Sequence, residues 1–184
     1  MKIKLLLLAV FVFGSMQAQK YTNTNSSVVT KEWKGFTFTS EKSLFLNIED
    51  AEPFSMAAPL FEQGVIAEDA MLTAFVMVNN SFSTLDEEQE KALFGAASKP
   101  YVSYHLIPGR VDSHALETAV DNGDGTAYFS TVLGQRLGVK RNASGDLMLF
   151  DTNGNTAKLL ATDFYHKNGF FHIIDGLILP SNNE

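Results

Sequence analysis

The side chains with the widest chemical scope in this chain are its four histidines, His105, His114, His166 and His172. An imidazole titrates near neutral pH and can move protons, hold a metal ion or activate a hydroxyl. Their separations match no metal-ligand spacing, and no H-E-x-x-H run is present. Alternation through Phe170 turns His172 toward a core rather than a cleft. Asp121-Asn122-Gly123-Asp124-Gly125-Thr126 has the composition of a calcium loop, but its acidic spacing is wrong and Val132 stands where a bidentate glutamate belongs. Asp151-Thr152-Asn153-Gly154-Asn155 carries Asn-Gly, a turn signal in its own right. Both stretches are read as turns. The acidic cluster Asp86-Glu87-Glu88 is read as a solvated helix start rather than a cation site. Neither a nucleophile elbow nor a phosphate-binding loop nor a dinucleotide fingerprint occurs. The expectation is no catalytic residue, no metal site and no cofactor.

The elements that must carry these residues follow from pattern. Residues 168–180 are apolar almost throughout, β-branched and aromatic, and punctuated by Gly169, Gly176 and Pro180. Phe171 and Ile173 alternate with His172 and Ile174, so both faces are largely apolar, as in a strand covered on both sides. Asp175-Gly176 then bends or bulges the backbone. Phe36 to Thr39 alternates like a short strand, and Trp33 before it is read as a partly buried packing residue. A helical pattern runs from Phe54 to Phe61, with Pro53 in a first turn, Pro59 as a kink and Gly64 as a stop. Leu72 to Val78 reads as a strand. Ser83 or Thr84 caps a helix running to Ala97 and stopped at Lys99-Pro100. Tyr101 to Ile107 is strand or buried helix end, and Asp112-Ser113 caps a helix through Val120. Ala127–Val132 and Arg136–Arg141 read as strands, and Asp146–Phe150 with Thr156–Leu160 as a hairpin around Asn153-Gly154. Helices first and strands after describe an α+β domain.

Composition narrows the classes. The chain has 184 residues, 45% hydrophobic and 19% charged, enough for one domain with a real core. Without cysteine it can hold neither a disulfide framework nor a thiolate metal site. A formal charge of −7 with no basic cluster argues against nucleic acid as a partner. Met1-Lys2-Ile3-Lys4, an apolar run from Leu5 to Phe13, and small residues up to Ala18 predict a signal peptide over residues 1–18. That run is too short to span a bilayer, so no transmembrane segment is expected in the mature chain. Residues 19–39 are read as a leader segment and residues 40–181 as the domain. Asn25, Asn79 and Asn142 each open an N-x-S/T tripeptide.

Three blocks together resemble a fasciclin-like domain, the extracellular adhesion-type module. Thr73-Ala74-Phe75-Val76-Met77-Val78-Asn79-Asn80-Ser81-Phe82 is similar to the family's T-V-F-A-P-T-N-E-A-F. Tyr104-His105-Leu106-Ile107-Pro108-Gly109 is similar to its Y-H-V-V-P-G. Residues 168–180 are similar to N-G-V-I-H-V-I-D-G-V-L-L-P, and residues 131–139 to L-x-G-x-x-L-x-V. In the first block Met77 and Val78 replace the family's proline and threonine, so no role of that threonine carries over.

The resemblance implies a wedge-shaped sandwich of two β-sheets with several helices on one side, and no catalysis. It implies exported, periplasmic or surface-associated binding of extracellular or envelope proteins or glycans, or of a second copy. Asn79, Phe82, Pro108, Gly109, Gly169, His172, Asp175 and Gly176 become framework positions. In some relatives the Tyr-His pair, here Tyr104 and His105, is linked to receptor binding. The apolar neighbours Val102, Leu106 and Ile107 argue instead for buried, internally bonded side chains. The alternative function is glycan or small-molecule binding in a groove near Trp33, Phe36 and Phe38.

Overall fold

A computed structural model describes residues 27–62, 70–95 and 98–181. The expected signal peptide, Asn25 with Ser26 of its tripeptide, and the Gly64 stop fall outside these residues. Strands β1 (Thr30–Trp33) and β2 (Phe36–Thr39) form a hairpin turned by Lys34 and Gly35, both at positive φ. Helix α1 (Leu44–Ile48) is capped by the Ser43 side chain. A 3-10 turn (Glu52–Phe54) with Pro53 near its start precedes α2 (Ala58–Glu62). The pattern from Phe54 to Phe61 is therefore broken in two, and Pro59 sits in the first turn of α2, where its missing N–H has no helical partner to lose.

Strand β3 (Leu72–Met77) is buried along its whole length. A 3-10 turn (Asn79–Thr84) leads to α3 (Glu87–Leu93), and α4 (Ser98–Tyr104) follows. Two sequence expectations change here. The cap of α3 is Asp86, not Ser83 or Thr84: its carboxylate accepts from Gln89 N, while Gln89 Oε1 accepts from Asp86 N. Lys99-Pro100 opens a helix rather than ending one, because proline is tolerated in a first turn.

Strand β4 (Leu106–Pro108) comes next, then α5 (Ser113–Asn122), capped by Asp112 as expected. The last third holds β5 (Thr126–Ser130), β6 (Arg136–Arg141), β7 (Leu147–Phe150), β8 (Thr156–His166) and β9 (Gly169–Ile174).

Seven strands join in the order β4-β3-β9-β8-β7-β6-β5, beside the separate β1-β2 hairpin. Only β3 and β9 run parallel; the other neighbours are antiparallel. The α+β class holds, with this seven-stranded mixed sheet and a small two-stranded one; the large sheet is continuous because eleven-residue β8 pairs with β7 at its start and β9 over the rest. Two register shifts bend β8 between those partners, with Asp163 at positive φ beside the second. Every residue of β9 is buried. On one face Phe171 stacks on Phe164, with Phe38 edge-on to both; on the other His172 stacks on Phe75. Phe38 lies in the segment read as a leader, yet it is 1% exposed. Asn47 ties the hairpin to α1 through Thr39 N and O.

Gly169 shows why the β3–β9 pair admits one residue only. A Cβ there would sit 1.8 Å from the Leu72 carbonyl oxygen.

Candidate functional site

The Tyr-His pair stands where α4 runs into β4, and both side chains point inward: Tyr104 is 1% and His105 0% exposed. The Tyr104 hydroxyl donates to the Arg136 carbonyl at 3.0 Å. Burial, and secondarily the Asp151 carboxylate, push Tyr104 up to about 12. His105 Nδ1 lies 2.9 Å from the Tyr101 carbonyl, which can only accept, so that nitrogen carries the proton. Burial drives His105 down to about 4, against the opposing effects of that carbonyl and Asp151. At neutral pH the ring is an uncharged structural donor.

His166 and His172 are also buried, but carry the proton on the other nitrogen and use both. His166 Nδ1 accepts from Asn168 N, and Nε2 donates to the Leu72 carbonyl at 3.3 Å. Burial sets His166 at about 4. His172 Nδ1 accepts from Asp163 N, and Nε2 donates to the Val111 carbonyl at 2.8 Å. Burial lowers His172 as well, against the pull of Val111 and Asp163. His114, on α5, is exposed.

One constellation outside any sequence motif has the composition of a nucleophilic relay: Ser113, Asp163 and His172. Its connectivity differs from a relay. Ser113 Oγ donates to Asp163 Oδ2 at 2.5 Å, and Ser113 N donates to Oδ1 at 2.7 Å. The imidazole makes no bond to the serine, and both its nitrogens are engaged with backbone. A relay needs the histidine to take the serine proton. Here the serine keeps its proton and donates it in a hydrogen bond to the carboxylate, which also accepts the first N–H of α5. Burial works to raise Asp163, but the Ser113 hydroxyl and amide, His172 and Thr162 together hold it below the usual carboxylate range. The bulge in β8 aims Asp163 across 50 residues of chain at Ser113, a placement no local pattern encodes.

The outward face of β5, β6 and β7 contrasts with this interior. Tyr128 is 53% exposed, and Arg136 Cζ lies 4.2 Å from the centre of its ring. Phe150 meets Tyr128 edge-on at 5.7 Å, and Lys140 Nζ lies 5.0 Å from the centre of the Phe150 ring. Between them stands Gly138, paired with Tyr128 on one side and Phe150 on the other. A Cβ on Gly138 would fall 2.3 Å from the Phe150 ring, so glycine lets that ring lie on the strand. Two aromatics and two cations thus make a platform on an otherwise acidic chain. Sequence reasoning passed over it, although the alternation Tyr128, Arg136, Lys140, Phe150 on facing strands was its signal.

The model of the fasciclin domain matches residues 54–180, more than half of the chain. The chain belongs to the fasciclin domain family. Fasciclin domains are known as adhesion-type modules. Among solved structures, a FAS1 domain pair from the insect cell adhesion molecule fasciclin I is similar, with a TM-score of 0.63 and 14% identity over 83% of this chain and 67% of that one. At that identity the likeness concerns the fold. No curated protein sequence matches.

In this fasciclin domain the framework positions take distinct places. Asn79 gathers the turn before α2: its Nδ2 donates to Glu52 O and Ser55 Oγ, and its Oδ1 accepts from Met56 N. Phe82 is buried against Phe94. Pro108 pairs with Leu72 at the sheet edge, and Gly109 N donates to the Met71 carbonyl. The Asp175 carboxylate accepts from Lys158 N as the chain leaves β9, and Gly176 packs against Thr156 and Ala157. The Asn79 and Asn142 amides are both tied up internally, Asn142 with Asp146 and Ser144. Trp33, Phe36 and Phe38 do not share a groove. Phe38 is in the core and Trp33 stacks on Phe54, while Phe36 alone lines a cavity of about 350 Å³ beside Lys34, Glu52 and Pro53. Among the described residues no helix is long and apolar enough to cross a membrane, and no three histidine or acidic side chains gather as a metal site.

Proposed function

We propose that this fasciclin domain is exported, with residues 1–18 removed as a signal peptide and residues 40–181 forming the domain. It acts as a non-enzymatic binding module in adhesion or surface-associated protein contact. Tyr104 and His105 hold the frame, and recognition falls to the outer face of the sheet. The observation that carries this reading is the exposed platform of Tyr128, Arg136, Lys140 and Phe150. Tyrosine and arginine are over-represented where proteins meet. The inward, backbone-bonded histidines support a structural rather than chemical use of the interior.

The test is a pull-down with residues 19–184 against extracellular and envelope fractions and against the protein itself, with sedimentation of the same sample. A protein partner or self-association retained by the wild type and reduced about five-fold or more in Tyr128→Ala/Arg136→Ala supports the reading, a change expected of hot-spot side chains. Equal retention by wild type and variant would sink the assignment of this face. Retention on polysaccharide alone moves the function to glycan binding.

A further inference from the structure

The pair Asn153-Gly154, at the tip of the β7–β8 hairpin, joins two groups that can react with each other. Asparagine is thermally labile, because the amide nitrogen of the next residue can attack its side-chain carbonyl carbon. Glycine at that next position leaves the approach open, since no Cβ stands in the way. The chain holds three such pairs: Asn122-Gly123, Asn153-Gly154 and Asn168-Gly169.

The fold sets them apart. Asn122 is the last residue of α5, and the Gly123 amide already donates to the Val120 carbonyl at 3.2 Å. A Cβ on Gly123 would fall 2.1 Å from the Thr126 carbonyl oxygen, so the turn is closed around that pair. Asn168 leads into β9, where its carbonyl accepts from Leu72 N and Gly169 is buried against the Leu72 backbone. Closing a five-membered ring at either place requires local unfolding. Asn153 and Gly154 are exposed, and nothing lies within 4 Å of a Cβ built on Gly154. The Asn153 side chain makes no hydrogen bond among the described residues. The Gly154 amide reaches the Asp151 carbonyl only at 3.4 Å, a long and weak bond.

One neighbour gives the site a reach beyond its own turn. The buried Asp151 carboxylate accepts from Asn153 N and Asn155 N through Oδ1, and from Asn155 Nδ2 and Leu179 N through Oδ2. A single side chain thus shapes the hairpin tip and holds the C-terminal tail.

We infer that Asn153 is a site of spontaneous covalent modification, and that its reaction loosens the tail at Leu179. The Gly154 nitrogen bonds to Asn153 Cγ, the Cγ–Nδ2 bond breaks, and ammonia leaves with the proton of the Gly154 amide, giving a cyclic imide. Water opens the imide at Cγ to give aspartate, or at the backbone carbonyl carbon to give isoaspartate, its main chain rerouted through Cβ and Cγ. Neither step changes an oxidation state. Both products set a second carboxylate beside Asp151, and isoaspartate also lengthens the tip by one carbon. The Asn153 and Asn155 amides are pushed out of register with Asp151, and the Leu179 bond goes with them. The inference is independent of the Tyr128–Arg136 platform and of what that face binds.

The experiment ages the folded protein, obtained by expressing the full chain, in mildly alkaline buffer. Peptides are then mapped by mass spectrometry with fragmentation that separates aspartate from isoaspartate. Expected is loss of the side-chain amide at Asn153 about ten-fold faster or more than at Asn122 or Asn168, because only those two wait on local opening. In urea-unfolded protein the three rates converge, as they must if the fold and not the dipeptide sets the order. Hydrogen exchange on the aged sample shows the Leu179 amide exchanging about five-fold faster or more, while β3 and β9 keep their protection. Asn153→Gln, which closes a six-membered ring far more slowly, ages with neither change. The inference is overturned if Asn122 or Asn168 reacts as fast as Asn153 in the folded protein, or if aged protein holds Leu179 as firmly as fresh. Loosening of the tail in aged Asn153→Gln would overturn it as well.

Discussion

Thr73 is the residue whose small size most understates its work. Its hydroxyl donates to the Gly109 carbonyl at 2.9 Å and accepts from Val111 N at 2.8 Å, pinning the loop after β4 to β3. Thr73→Val keeps the shape and strands both backbone groups in a buried position, so urea unfolding should lose about 2 kcal/mol; a loss under about half a kcal/mol would deny the clamp. The histidines give a second prediction. His105 and His166 sit at about 4 in the fold, below their ordinary unfolded value of about 6.5. The unfolded chain therefore binds more protons, and stability is full above about pH 6.5 and falls as pH drops toward about 4. Between about pH 7.5 and pH 5 each should remove roughly 2 kcal/mol, read as a falling urea midpoint. A flat midpoint would mean that the rings are charged inside the fold. At this scale the sequence was partly legible. His172 was placed inward by alternation, but the Ser113–Asp163 bond and the Thr73 clamp join residues 50 and 38 apart, beyond any local pattern.

Among the elements, β9 was the most legible, because a run apolar on both alternating faces has few places to sit except mid-sheet. Its parallel pairing with β3 was not legible, since parallel partners are joined by no turn. The pairing makes a sharp prediction. Gly169→Ala drives a methyl into the Leu72 carbonyl, and no flexible side chain can yield. The variant should lose at least about 4 kcal/mol, the range kept for backbone and core disruption, or fail to fold. Near-native thermal unfolding would show that β3 and β9 can separate there. The α3 start was misplaced by three residues at most, because Ser83, Thr84 and Asp86 are all good caps and only the Asp86–Gln89 reciprocity decides among them.

For the molecule as a whole, residues 30–39 behave as part of the core. Phe38 lies edge-on to Phe54, Phe164 and Phe171, and Lys31 Nζ reaches the Thr162 carbonyl. Phe38→Ala should therefore lower global stability by about 3 to 5 kcal/mol in a single transition. A small loss confined to the hairpin, seen by hydrogen exchange, would make it an appendage. The segment looked loose in sequence because residues 20–30 are rich in Asn, Ser and Thr and only Trp33, Phe36 and Phe38 announce burial. At the other end, the chain crosses back over the sheet: Asp151 holds Leu179 N, and Gln135 bonds both the N and O of Ser181. That tail also lines a cavity of about 580 Å³ beside α3. An affinity tag or a fusion partner appended to the C-terminus would therefore be tethered within a few residues of that cavity's lining. Assays on this protein are best run with the handle on each end in turn, so that an effect of the tag can be told from an effect of the surface.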